Sequence, residues 1–218
     1  MRREDDRPED AGTEKSSFTR RDFLKGAGVT VSSGLLLSTA TADAVPAQRE
    51  GGFAGPGAVP VSLRVNGKVH ELSIEPRVTL LDALRDTLDI TGAKKVCDRA
   101  SCGACTVLID RKPVYACTTL AIEAERHEIT TIEGLAAEDQ LTSVMTAFVD
   151  HDAQQCGFCT PGFVVASTAF LERNPRPTQE EIEKGLGGNI CRCGTYQGIR
   201  HAVLEAAGKM TGGAHGNV

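Results

Sequence analysis

Cys97-Asp98-Arg99-Ala100-Ser101-Cys102-Gly103-Ala104-Cys105 is the stretch on which the fold turns. Four residues separate its first two cysteines and two separate the next, and Cys117 follows after a gap of eleven. The intervening residues are mostly small. Ala100, Ser101, Gly103 and Ala104 let the backbone wrap tightly, so that its N–H groups can point inward at the sulfurs. Gly103 can take a positive φ without steric penalty. Four thiolates at this spacing suit a [2Fe–2S] cluster, with Cys117 closing the fourth position from the end of a strand.

The flanking sequence predicts what carries this loop. Val61 to Val65 alternates apolar and polar residues, Asn66-Gly67 is a type I′ turn signal, and Val69 to Ile74 alternates again, which makes a hairpin. Thr79 caps a short helix with Leu80, Leu81, Leu84 and Leu88 on one face. After the cysteine loop, strands are expected at Thr106–Ile109, Val114–Cys117 and Glu128–Ile132. Hairpin, helix and further strands form a small β-grasp unit.

Beyond Gly134 the apolar period changes from two to 3.6. Leu141, Val144, Met145 and Phe148 form one helical stripe. Pro161 starts a second helix running through Phe163 to Leu171, Thr178 with Glu181 is a capping box for a third, and Ile199 to Ala207 gives a fourth. The other four cysteines, Cys156-x2-Cys159 and Cys191-x-Cys193, lie at the corners of this helical half. Two such pairs can cap the two irons of another cluster, with helix N-terminal amides stabilising its anionic core.

Zinc and disulfides are the competing uses for these thiols. Cys-x2-Cys does occur at structural zinc sites, but Cys-x-Cys is an unusual half-site and Cys-x4-Cys-x2-Cys matches no common zinc framework. Eight cysteines in 218 residues are too sparse for a disulfide-dependent fold. The net charge of −5 gives no basic footprint for nucleic acid. No Ser-His-Asp arrangement, P-loop or Gly-x-Gly-x-x-Gly motif is present, so no catalytic residue is assigned to this chain. Its five histidines are scattered, and Glu180-Glu181 with Glu183-Lys184 reads as a solvated helix face.

The N-terminal segment reads differently. Residues 1–18 are charged and low in apolar content, as in disorder. Thr19-Arg20-Arg21-Asp22-Phe23-Leu24-Lys25, a weakly apolar stretch and Ala42-Asp43-Ala44 follow in the order of a twin-arginine export signal. That stretch is too short and too polar for a membrane span. Export of a folded, cofactor-loaded protein to the periplasm suits cluster ligands better than disulfides. The expected organisation is α+β: an export signal over 1–44, a Gly/Pro-rich linker over 45–59, a β-grasp [2Fe–2S] domain over 60–136, a four-helix [2Fe–2S] domain over 137–210, and a disordered tail over 211–218.

Three motifs carry a family resemblance. The stretch from Cys97 to Val107 resembles the ferredoxin-like domain of the xanthine oxidase, or molybdenum hydroxylase, family. Gln155-Cys156-Gly157-Phe158-Cys159-Thr160-Pro161-Gly162 and Gly188-Asn189-Ile190-Cys191-Arg192-Cys193-Gly194 are similar to its second iron–sulfur domain. With the export signal, the resemblance points to the small subunit of periplasmic aldehyde oxidoreductases and of isoquinoline oxidoreductase-type enzymes. It implies one cluster on Cys97, Cys102, Cys105 and Cys117, and a second, nearer a partner's molybdopterin, on Cys156, Cys159, Cys191 and Cys193. It further implies that Gln155 and the Cys193 sulfur touch the pterin. Electrons then pass singly through both clusters to an FAD-bearing subunit or a cytochrome-type acceptor. Val96 and Ala100 stand where the family tends to have glycine. The alternative is a free-standing exported electron carrier, against which a large apolar patch on the helical domain would argue.

Overall fold

A computed structural model describes residues 56–136 and 140–212. The residues read as an export signal and most of the expected linker lie outside the described residues. In the first domain β1 (Val59–Val65) and β2 (Lys68–Ile74) pair antiparallel, closing through Asn66-Gly67 with both residues at positive φ, as a type I′ turn requires. Asn66 also fixes that turn to the rest of the sheet: its amide donates to Thr131 Oγ1 and its carbonyl accepts from Thr131 N–H, both at 2.9 Å.

Helix α1 (Leu80–Asp82) is capped by Thr79, whose hydroxyl accepts from Asp82 N–H. It widens into a π turn over Ala83–Thr87, and Leu80, Leu81 and Leu84 are fully buried beneath the sheet. Strands β3 (Thr106–Ile109), β4 (Lys112–Tyr115) and β5 (Glu128–Thr130) complete a five-stranded mixed sheet of order β2-β1-β5-β3-β4, with β1 parallel to β5. β4 lies at an edge, where Pro113 can be accommodated.

Three local expectations shift. β4 starts two residues earlier than expected because Asp110 and Arg111 both adopt left-handed φ and turn the chain without glycine. Cys117 therefore lies not in a strand but in the 3-10 turn Ala116–Thr118 that follows it. β5 stops at Thr130, and Ile132 belongs instead to a one-turn helix, α2 (Ile132–Leu135).

The second domain has the four expected helices: α3 (Ser143–Asp150), α4 (Thr160–Arg173), α5 (Gln179–Gly185) and α6 (Tyr196–Gly212). α6 continues beyond Ala207 and two residues into the expected tail. The Thr178/Glu181 capping box forms at α5, and Pro161 occupies the first turn of α4. The core gathers Val144, Phe148, Phe163, Leu171, Ile182, Ile199 and Val203. The domains share a seam: Leu108 of β3 packs against Val165 and Ala169 of α4, all buried. Among the described residues no helix is long and apolar enough to cross a membrane.

Candidate functional site

The first cysteine loop is held by its own domain. Lys95 Nζ binds Asp82 of α1 at 2.6 Å and Asp98 at 3.4 Å, Arg85 donates to the Thr91 and Ala93 carbonyls, and Lys94 N–H bonds Ala104 O. Asp98, Ala100 and Gly103 take left-handed φ of 54°, 55° and 71°, so the loop curls rather than extends. The expected inward N–H groups are present: Ala100 N–H donates to Cys117 Sγ and Ser101 N–H to Cys97 Sγ, each at 3.3 Å. Ala100 keeps the curl although its Cβ makes that conformation cost about 1–2 kcal/mol.

The thiols gather in pairs. Cys97 reaches Cys102 and Cys105 reaches Cys117 within hydrogen-bonding range, the first pair half-buried and the second buried. Cys97 is lowered to about 7 by the Arg99 N–H, against partial desolvation, with help from Ser101. Burial pushes Cys105 up to about 12.

The second set has the same plan from different parts. Cys159 is the N-cap of α4, and Cys191 and Cys193 sit in the turn before α6. Cys156 reaches Cys193, both exposed, while half-buried Cys159 reaches buried Cys191. Burial drives Cys159 up to about 12. Cys191 also meets a desolvation penalty, which the Thr195 hydroxyl and N–H together with the Cys159 thiol and the Cys193 N–H outweigh, lowering it to about 7. The Tyr196 hydroxyl accepts the Cys191 N–H at 2.9 Å, and Phe163 of α4 packs edge-to-face on the Tyr196 ring.

Among the described residues no three His, Cys, Asp or Glu side chains converge closely enough to hold a single ion. Two thiol pairs, one outer and one inner, are instead what a two-iron core asks of its ligands, one pair for each iron. A further sign of fit is the Thr160 hydroxyl next to Cys159, which is buried without a partner in the protein.

The loops touch across the seam. Ile190 N–H donates to Cys102 O at 2.9 Å, so one hydrogen bond and one peptide unit link Cys102 of the first set to Cys191 of the second. Buried Asn189 donates from Nδ2 to Gly103 O at 2.9 Å, and Tyr115 OH donates to Gly188 O at 2.9 Å. A Cβ on Gly162 would lie 2.3 Å from Gly103 O, and one on Gly103 would lie 2.6 Å from Asn189 Nδ2. Asn189 and Gly162 stand inside the motifs read from the sequence but had no role there, and Tyr115 carried no signal. Gln155 is exposed beside Cys156, as are Phe158 (55%) and Ile190 (50%). Two of the histidines pair with carboxylates, exposed His127 with Asp110 and half-buried His151 with Glu205.

Residues 63–136 match the 2Fe-2S iron-sulfur cluster binding domain family and residues 131–204 the [2Fe-2S] binding domain family. The chain is 41% identical to the aldehyde oxidoreductase iron-sulfur-binding subunit PaoA of Escherichia coli O157:H7, over 89% of this chain and 90% of that one. It is 43% identical to the nicotine 6-hydroxylase small subunit of Paenarthrobacter nicotinovorans, over 70% and 92%. Its structure superposes on quinoline 2-oxidoreductase from Pseudomonas putida with a TM-score of 0.69 at 38% identity, covering 74% of this chain and 99% of that one. It also superposes on the aldehyde oxidoreductase of Desulfovibrio desulfuricans with a TM-score of 0.67 at 40% identity, covering 70% of this chain and 17% of that much longer one.

Proposed function

We propose, because this chain belongs to the molybdenum hydroxylase family as its two-cluster iron–sulfur small subunit, that its eight cysteines divide by domain between the two clusters. Cys97, Cys102, Cys105 and Cys117 hold one, and Cys156, Cys159, Cys191 and Cys193 the other. The paired thiols and the N–H donors around them support this division. The chain is the electron-transfer subunit of an oxidoreductase, and the substrate chemistry belongs to the molybdopterin subunit. Bound here, each [2Fe–2S] cluster supplies one-electron storage, so a two-electron oxidation on the partner is passed on singly.

The residues of this chain hold and shield. Cys105, Cys117 and Cys191 are buried, so water is kept from the inner face of each site. Cys156 and Cys193 face outward among Gln155, Phe158 and Ile190, a partly apolar surface suited to a subunit that stays bound. On it Gln155 and the Cys193 sulfur meet the partner's pterin. The outer pair Cys97 and Cys102 serves the exit side, toward an FAD-bearing subunit or a cytochrome-type carrier. The substrate belongs to the aldehydes or the N-heterocycles, the two classes for which the relatives PaoA and the nicotine 6-hydroxylase small subunit are named. The Arg20-Arg21 segment supports export through the twin-arginine pathway.

Purification from the native host tests this reading. Two distinct [2Fe–2S] EPR signals on reduction, with molybdenum in a co-eluting larger chain and bleaching of the visible spectrum by an aldehyde or an N-heterocycle, are expected. A chain that elutes alone, binds zinc and gives no reduced signal would overturn it.

A further inference from the structure

Thr195 stands between the Cys191-Arg192-Cys193-Gly194 turn and α6, where a threonine hydroxyl ordinarily accepts from an N–H of the helix's first turn. Here it is turned the other way. Its Oγ1 lies 3.2 Å from Cys191 Sγ, and its backbone N–H is directed at the same sulfur. Gly194, at φ +81°, makes the bend that folds Thr195 back on the cysteine. Only the Thr195 carbonyl serves the helix, accepting the Ile199 N–H at 3.0 Å. A cysteine that ligates iron is a thiolate with no proton of its own, so the hydroxyl must be the donor. Cys191 is buried, and a hydrogen bond to a charged sulfur counts for more there than in water. The first set has no equivalent: among the described residues its sulfurs, once they are thiolate ligands, receive protein hydrogen bonds from backbone N–H groups and not from a hydroxyl.

We propose that Thr195 is a positioning residue that raises the reduction potential of the helical-domain cluster through its O–H···S bond to Cys191. The inference rests on Cys156, Cys159, Cys191 and Cys193 being that cluster's ligands. Reduction adds negative charge to the iron–sulfur core and its thiolates, so a donor aimed at one of them favours the reduced form. The cluster that faces the molybdenum centre becomes the stronger acceptor for an electron leaving it.

The test is an EPR-monitored redox titration of the purified complex carrying T195V, T195A or T195S, with both cluster signals resolved. T195V and T195A should shift the one-electron equilibrium of one cluster about three- to tenfold toward the oxidised form, tenfold being about 59 mV. T195S should stay within about twofold of the native protein, and the other cluster should not move. T195A, which removes atoms and adds none, decides the matter if T195V does not take up its second cluster. Unchanged potentials in T195A, an equal shift of both clusters, or T195S behaving as T195A would each overturn the proposal. Absence of a second [2Fe–2S] signal from the native complex would instead reject the ligand assignment beneath it.

Discussion

The two cysteine sites reach the same arrangement, an outer and an inner thiol pair, by opposite routes. The first is a loop whose curl comes from left-handed residues and whose anchors, Lys95 to Asp82 and Arg85 to Thr91 and Ala93, lie within its own domain. The second has no loop of that kind. Cys159 caps one helix, Cys191 and Cys193 precede another, and they meet where the start of α6 packs on α4 through Tyr196 and Phe163. One site is local and the other is tertiary, so they should fail under different insults.

The largest contrast comes from removing ligands. C117A should abolish the EPR signal of the first cluster and leave the second, C191A should do the reverse, and each should halve the iron content. Loss of both signals from either variant would mean that the sites do not load independently. Next is F163A, which deletes a fully buried ring that packs on Tyr196, whose hydroxyl holds the Cys191 backbone. It should cost about 3–5 kcal/mol and strip the helical-domain cluster on mild heating before the other, followed by visible circular dichroism. A smaller effect separates two left-handed positions of the first loop. G103A should destabilise by about 2–4 kcal/mol, from backbone strain and from crowding against Asn189, whereas A100G should stabilise by up to about 1 kcal/mol in chemical denaturation.

The smallest effect is one of rate, in protein stripped of iron. Because Cys97 is lowered to about 7, its thiolate forms as the pH rises through 7, and its alkylation should climb about tenfold per unit below that point and flatten above it. Cys105, raised to about 12, should stay unmodified through pH 9. Mass spectrometry of iodoacetamide-treated protein reads both, and equal labelling of the two cysteines would contradict the burial difference.

The local site was legible in the sequence for the same reason that it is local. Spacing, small residues and Gly103 act over a few positions, as do the Asn66-Gly67 turn and the Thr178/Glu181 box. What escaped was set at a distance or by an unusual backbone. Asp110-Arg111 turns through two left-handed residues of ordinary type, which moved Cys117 out of its expected strand. The pairing of Cys156 with Cys193 and of Cys159 with Cys191 depends on helix packing, which spacing alone does not encode. Asn189, Gly162 and Tyr115 act only across the seam, where nothing in their own neighbourhood announces a partner.

That seam also bears on how such a chain can be inherited or engineered. Gly162 rests against Gly103 without room for a methyl group, and Leu108 is buried under residues of α4. A domain transplanted alone would carry an apolar scar and an unmatched notch into its new host. The two domains are therefore best treated as one exchangeable cassette, moved whole between catalytic subunits.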